Sequence, residues 1–147
     1  MKQQEIVNAL NELFKNSMMN IEVFETLKTH LKSEHLLIEM SECLFEFHTH
    51  KQSLEGLITL FHGEVASYNM IDYMNEYILK IKQMNLKEDV EVICFALKQM
   101  EEQLKILKQF VNDHELEHEH VKKTIAIMHE DYQMIYHKLR KHQILFA

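Results

Sequence analysis

The stretch Val90–Phe146, VEVICFALKQMEEQLKILKQFVNDHELEHEHVKKTIAIMHEDYQMIYHKLRKHQILF, decides the fold. Alternating steps of three and four residues from Val90 pick out Ile93, Leu97, Met100, Leu104, Leu107, Val111, His114, His118, Val121, Ile125, Met128, Tyr132, Ile135, Leu139, His142 and Phe146. That spacing is the seam of a helix packed on another helix with coiled-coil geometry. Only His114, His118 and His142 interrupt an otherwise apolar or aromatic stripe. A stripe of this length must be covered. It predicts an all-α, antiparallel bundle of five to six helices with a long coiled-coil-like C-terminal segment. As one rod the stretch would measure roughly 85 Å at 1.5 Å per residue, against a radius of gyration of about 15 Å for a compact domain of this length. Asn112-Asp113, followed by Glu115 and Glu117, has the pattern of a helix start. The unbroken rhythm and the lack of Gly or Pro there argue for one continuous helix. The balance favours two helices meeting at Asn112-Asp113.

Working outward, the 147 residues include two Gly and no Pro. Strand-rich folds need those residues at their turns, and helices are broken by them. The length fits one helical domain over residues 1–147. A first helix is expected over Lys2–Lys15, with Ile6, Leu10, Leu13 and Phe14 on one face and Asn16-Ser17 as its stop. Asn20 would cap a second helix to Lys32, and Ser33 a third over Glu34–His50. The polar run Thr49–Gly56 (THKQSLEG) reads as a turn with Ser53 as the next cap. A long helix would follow, with Leu54, Ile58, Phe61, Val65, Tyr68, Ile71, Met74, Ile78 and Ile81 as its stripe and Gly63 inside it. Gly63 there would cost about 1 kcal/mol against Ala unless it admits a close neighbour. Met84–Lys87 is the connection to the seam, and Glu88 and Asp89 favour a helix start through its dipole.

The formal charge is −7, with 16 basic residues against 23 acidic ones and Arg140 the lone arginine. Phosphate recognition favours clustered Lys and forked guanidinium groups, so no nucleic-acid partner is expected. A basic or neutral protein is the better electrostatic match. Cys43 and Cys94 are isolated and read as reduced thiols of a cytoplasmic protein, not as a disulfide framework. The N-terminal MKQQEIVNALNELF is too interrupted by polar residues for a signal or anchor, and no membrane partner is expected.

The chain holds 11 histidines. His114 and His118 form an HxxxH pair, which on one helix offers two imidazoles one turn apart to a divalent metal. His35 and Glu39 repeat the spacing, and His62 and Glu64 are further candidates. The ligand orders of di-iron bundles, with inward carboxylates and histidines on facing helices, are not reproduced. A metal-binding bundle using iron or zinc is therefore the second reading. A third rests on His114, His118 and His142 being buried and neutral, which would make the bundle sensitive to acid. Nucleophilic catalysis and phosphate loops find no support in the pattern, and no cofactor is expected. The first reading is a non-enzymatic protein that binds another protein, as regulator, inhibitor or chaperone. Tyr68, Met70, Tyr73, Met74 and Tyr77 could form its groove, since Met and Tyr suit adaptable contacts. Ile144, Leu145 and Phe146 at the chain end need a surface to dock on, either their own core or that of a second copy in a homodimer.

Overall fold

The computed structural model describes residues 3–66, 72–114 and 118–146, with backbone alone for 72–74 and 146. Among these residues there are five helices: α1 Gln3–Lys28, α2 Glu34–Leu60, α3 Asp72–Gln83, α4 Asp89–Asp113 and α5 Glu119–Phe146. The expected all-α bundle is what forms. The pairs that pack most are α1 with α2 and α4 with α5, and α1–α4 and α2–α5 contacts close the ring. Each of these four pairs is antiparallel. Short loops dictate this within α1–α2 and α4–α5. Between hairpins, Glu39 near the start of α2 meets His142 near the end of α5. Likewise Asp89 at the start of α4 takes the Lys32 and Ser33 amides beyond the end of α1 at 2.8 and 3.0 Å. The α3 helix packs on α1 and returns the chain to the end of the bundle where α4 begins.

Most of the seam does what its spacing predicts, with Val90 and Leu104 half-buried and Val111, at the end of α4, exposed. Ile93, Leu97, Met100, Leu107, Val121, Ile125, Met128, Tyr132, Ile135 and Leu139 are all buried. It is broken into two helices, with α4 running through Asp113 and the His118 carbonyl accepting from the Lys122 amide of the first α5 turn at 3.1 Å. Asn112 and Asp113 thus end α4 and do not cap α5.

Two expected turns are absent. The stop at Asn16-Ser17 and the cap at Asn20 are overridden, because α1 runs through them. Asn16 Nδ2 donates to the Glu12 carbonyl at 3.0 Å within the helix, while Ser17 and Asn20 are buried in the core. The polar run Thr49–Gly56 also stays helical. Thr49 and Ser53 return their hydroxyls to the carbonyls four residues back, Phe45 and Thr49, at 3.0 and 3.1 Å. Ser33 is the expected N-cap of α2 and accepts from the Leu36 amide at 3.4 Å.

The long helix expected from Leu54 to Ile81 is also divided. After Leu60 the Gly63 amide reaches the Ile58 carbonyl at 2.9 Å and the His62 amide the Thr59 carbonyl at 2.9 Å. These are the two bonds of a Schellman cap, with His62 at φ 58 where glycine is usual. Gly63 is one residue further on and serves the close approach of α1: a Cβ there would lie 2.5 and 2.8 Å from the two Val7 methyls. Asn11 then holds the following strand of loop, donating to the Glu64 carbonyl and accepting from the Ala66 amide, each at 2.8 Å.

Gly63→Ala is expected to destabilise the fold by about 1–3 kcal/mol through overpacking against Val7. In a Val7→Ala background the same change should cost less, because the clashing methyls are gone. Urea unfolding of the four variants of this cycle measures the coupling. Additive costs would show that Val7 is not what Gly63 accommodates.

Candidate functional site

Ser33 and the Asp89 carboxylate fix where α2 starts, and buried Leu36 and Met40 fix which way it faces. His35 and Glu39 follow at i, i+4 and so lie one turn apart. Across the antiparallel α2–α5 contact, Leu139 is buried and His142, three residues on, faces the same pair. Glu39 uses its oxygens separately: Oε2 lies 2.5 Å from His142 Nε2, and Oε1 lies 3.8 Å from His35 Nε2. The two imidazole rings meet edge to face at 5.5 Å. Among the described residues this trio is the one set of three His, Cys, Asp or Glu donors that lie within 4.8 Å of one another.

The other metal candidates are dispersed. His114 caps the end of α4 and its ring rests on Phe110 at 4.9 Å, while His118 precedes α5 and packs on Phe61 at 4.9 Å. The helix break between them removes the one-face spacing that an HxxxH pair requires. His62 is the left-handed cap residue, and it lines an open cleft between α1 and the end of α4 together with Glu64 and His114. Of the expected partner residues, Tyr68 and Met70 lie outside the described residues, as do the side chains of Tyr73, Met74 and Phe146. Tyr77 is partly exposed, and its phenol is pushed up by burial and then by the Glu102 charge. Ile144 and Leu145 do not dock on their own core; they are 64% and 77% exposed.

An apolar face not anticipated from the sequence lies on the outside of α2. Ile38 and Phe45 are 55% and 75% exposed, and they flank a shallow groove of about 400 Å³ lined also by Glu34, Leu37, Ser41 and Glu42. Leu37, Ser41 and Phe45 at i, i+4, i+8 were the available signal. They share a face distinct from that of buried Leu36, Met40 and Cys43.

The deeply buried histidine is His50, at 3% exposure, whereas His114, His118 and His142 are half-buried. Its Nε2 lies 3.0 Å from Asp131 Oδ2 on α5, with the oxygen out of line with the ring N–H, so the contact is mainly electrostatic. The ring also meets Tyr132 edge to face at 5.6 Å. Burial lowers the His50 pKa, and the Asp131 charge opposes that only in part. Both cysteines are free. Burial pushes the Cys43 thiol up to about 12, helped by the Glu46 and Glu39 charges. Cys94 accepts from Gln143 Nε2 at 3.2 Å.

No protein-family model, curated protein or solved structure matches this chain. Among the described residues, no helix is long and apolar enough to cross a membrane.

The lowered His50 pKa sets a sign for acid sensitivity. Below about pH 6.5 the unfolded chain takes up a proton at His50 that the folded protein refuses, so its stability falls until the folded pKa is passed. Replacing His50 with Gln removes this contribution. The melting temperatures of the wild type and His50→Gln should therefore converge between pH 7.5 and 5.5. Parallel curves would contradict the assignment.

Proposed function

We propose that this chain is a non-enzymatic cytoplasmic binding protein whose α2 offers its outer face to a cationic amphipathic helix of a partner protein. The exposure of Phe45 carries the reading. Fully burying a side chain of this size is worth about 1.5–3 kcal/mol, and here three-quarters of it faces solvent. Ile38 and Leu37 extend the apolar strip along the same helix, as a helix-in-groove partner requires.

Charge supports the choice of occupant. Between Glu34 and His50, α2 carries Glu34, Glu39, Glu42 and Glu46 and no Lys or Arg. Glu34 and Glu42 belong to the groove itself. A second copy would bring the same carboxylates to face these ones, whereas lysines flanking an apolar stripe would pair with them. The two free thiols fit a reducing compartment.

A fluorescein-labelled amphipathic Leu/Lys helix, titrated with the full chain and followed by anisotropy, tests this. Saturable binding is expected, weakened roughly tenfold or more in Phe45→Ser, or about 1.4 kcal/mol. Ile127→Ser, on α5 and 47% exposed before substitution, should bind as the wild type does. Both variants should melt close to the wild type, since surface substitutions rarely exceed ±0.5 kcal/mol. Unchanged affinity in Phe45→Ser would overturn the proposal. So would self-association seen by sedimentation and abolished in Phe45→Ser, because the occupant would then be a second copy.

A further inference from the structure

We propose that His35, Glu39 and His142 bind one first-row divalent transition-metal ion of the zinc or cobalt type, which fastens the last turns of α5 to the first turns of α2. The inference is independent of whether α2 also carries a partner.

The donor set specifies the class of ion. Two imidazole nitrogens and one carboxylate oxygen suit zinc, cobalt, nickel, copper or ferrous iron. Calcium and magnesium call for oxygen donors throughout. With bonds of about 2.0–2.2 Å, donors on one such ion sit roughly 3–3.5 Å apart. The Glu39–His35 separation of 3.8 Å is close to that range, and the Glu39–His142 contact of 2.5 Å must open slightly. All three donor atoms lie within 4.8 Å of one another, so the adjustment that an ion would require is small. Glu39 already directs one oxygen at each ring, so an ion among the three groups would replace two imidazole–carboxylate contacts with three bonds.

The scaffold holds these donors from behind. Buried Leu36 and Met40 anchor the α2 turn that carries His35 and Glu39. Buried Leu139, together with the Gln143–Cys94 contact to α4, anchors the α5 turn that carries His142. Glu34 and Glu42 stand nearby on α2, and the C-terminal end of α5 adds the negative end of its dipole. On α5, the Arg140 guanidinium donates to the Tyr136 hydroxyl at 3.3 Å. Cys43, one turn past Glu39, is not among the donors within 4.8 Å. Because the His35 side chain is 71% exposed, the remaining coordination positions open to water and the ion can exchange.

The test uses untagged full-length protein stripped with chelator. Titration with Co²⁺ followed by visible absorption, and with Zn²⁺ by calorimetry, should each give one ion per chain. His35→Ala removes an exposed side chain and leaves the fold intact. It should weaken binding by at least about 100-fold, more than the loss of an outer-shell partner costs. Glu39→Gln and His142→Ala should do the same, while His48→Ala, an exposed histidine elsewhere on α2, should not. Zn²⁺ should raise the melting temperature of the wild type and slow amide exchange in the last two turns of α5, with neither effect in His35→Ala. Absence of stoichiometric binding would overturn the proposal. So would binding that survives His35→Ala, or binding lost in His114→Ala/His118→Ala.

Discussion

Phe47 is where three of the four ring helices are fastened together. Its ring, fully buried on α2, meets Phe24 of α1 edge to face at 4.8 Å and Tyr132 of α5 at 5.7 Å. Each such pair adds about 0.5–1.5 kcal/mol beyond the area it buries. The same column continues to His50, and burial pushes the Tyr132 phenol up to about 12 against the pull of the Ser17 hydroxyl. The column thus joins the α1–α2 hairpin to α5, and the buried α4 residues complete the core beside it. Without Phe47, the α1–α2 hairpin and the α4–α5 hairpin would face a cavity instead of each other.

Apolar seams attract without fixing register, since sliding by one turn replaces one aliphatic contact with another. Two polar contacts discriminate here. Gln99 of α4 reaches Asn20 Oδ1 of α1 at 3.4 Å, and His50 of α2 faces Asp131 of α5 at 3.0 Å. Displacement by a turn would leave these groups unpaired among aliphatic side chains, at about 1–3 kcal/mol for each uncharged group. Polar residues inside a bundle commonly trade some stability for a unique alignment. The trade is visible at Asn20, whose Nδ2 finds no partner among the described residues.

Periodicity made most of this architecture legible before any coordinates. Ten seam positions from Ile93 to Leu139 are buried as their spacing requires, Ser33 caps α2, and the C-terminal stretch divides close to Asn112-Asp113, beside the exposed Val111. Composition misled where it was weighed above periodicity. The polar run from Thr49 to Gly56 resembles a turn, yet Leu36, Met40, Cys43, Phe47, His50, Leu54 and Leu57 continue an unbroken 3–4 rhythm through it, and all are buried. The same error hid His50, which belongs to the core stripe. The His35–Glu39 half of the candidate metal site could be read locally, because i, i+4 is a property of any helix. Its union with His142, 103 residues from Glu39, could not. That meeting depends on α2 and α5 being antiparallel neighbours, which no local spacing encodes.

The two ends of the bundle are secured by different means, and the difference bears on function. At one end, the chain after α2 is held through backbone groups: the Schellman cap at His62 and Gly63, the Asn11 side chain on the Glu64 and Ala66 backbone, and Gly63 pressed against Val7. At the other end α5 is held through side chains, by Glu39–His142 to α2 and Gln143–Cys94 to α4. The first of these is the contact that the proposed ion would replace, and the second would stay in place behind it. The exposed apolar residues Ile38, Ile144 and Leu145 also gather at this end. An ion bound as proposed would therefore act on α5 at this end, where side chains hold it, and not on the backbone contacts that fix the chain after α2.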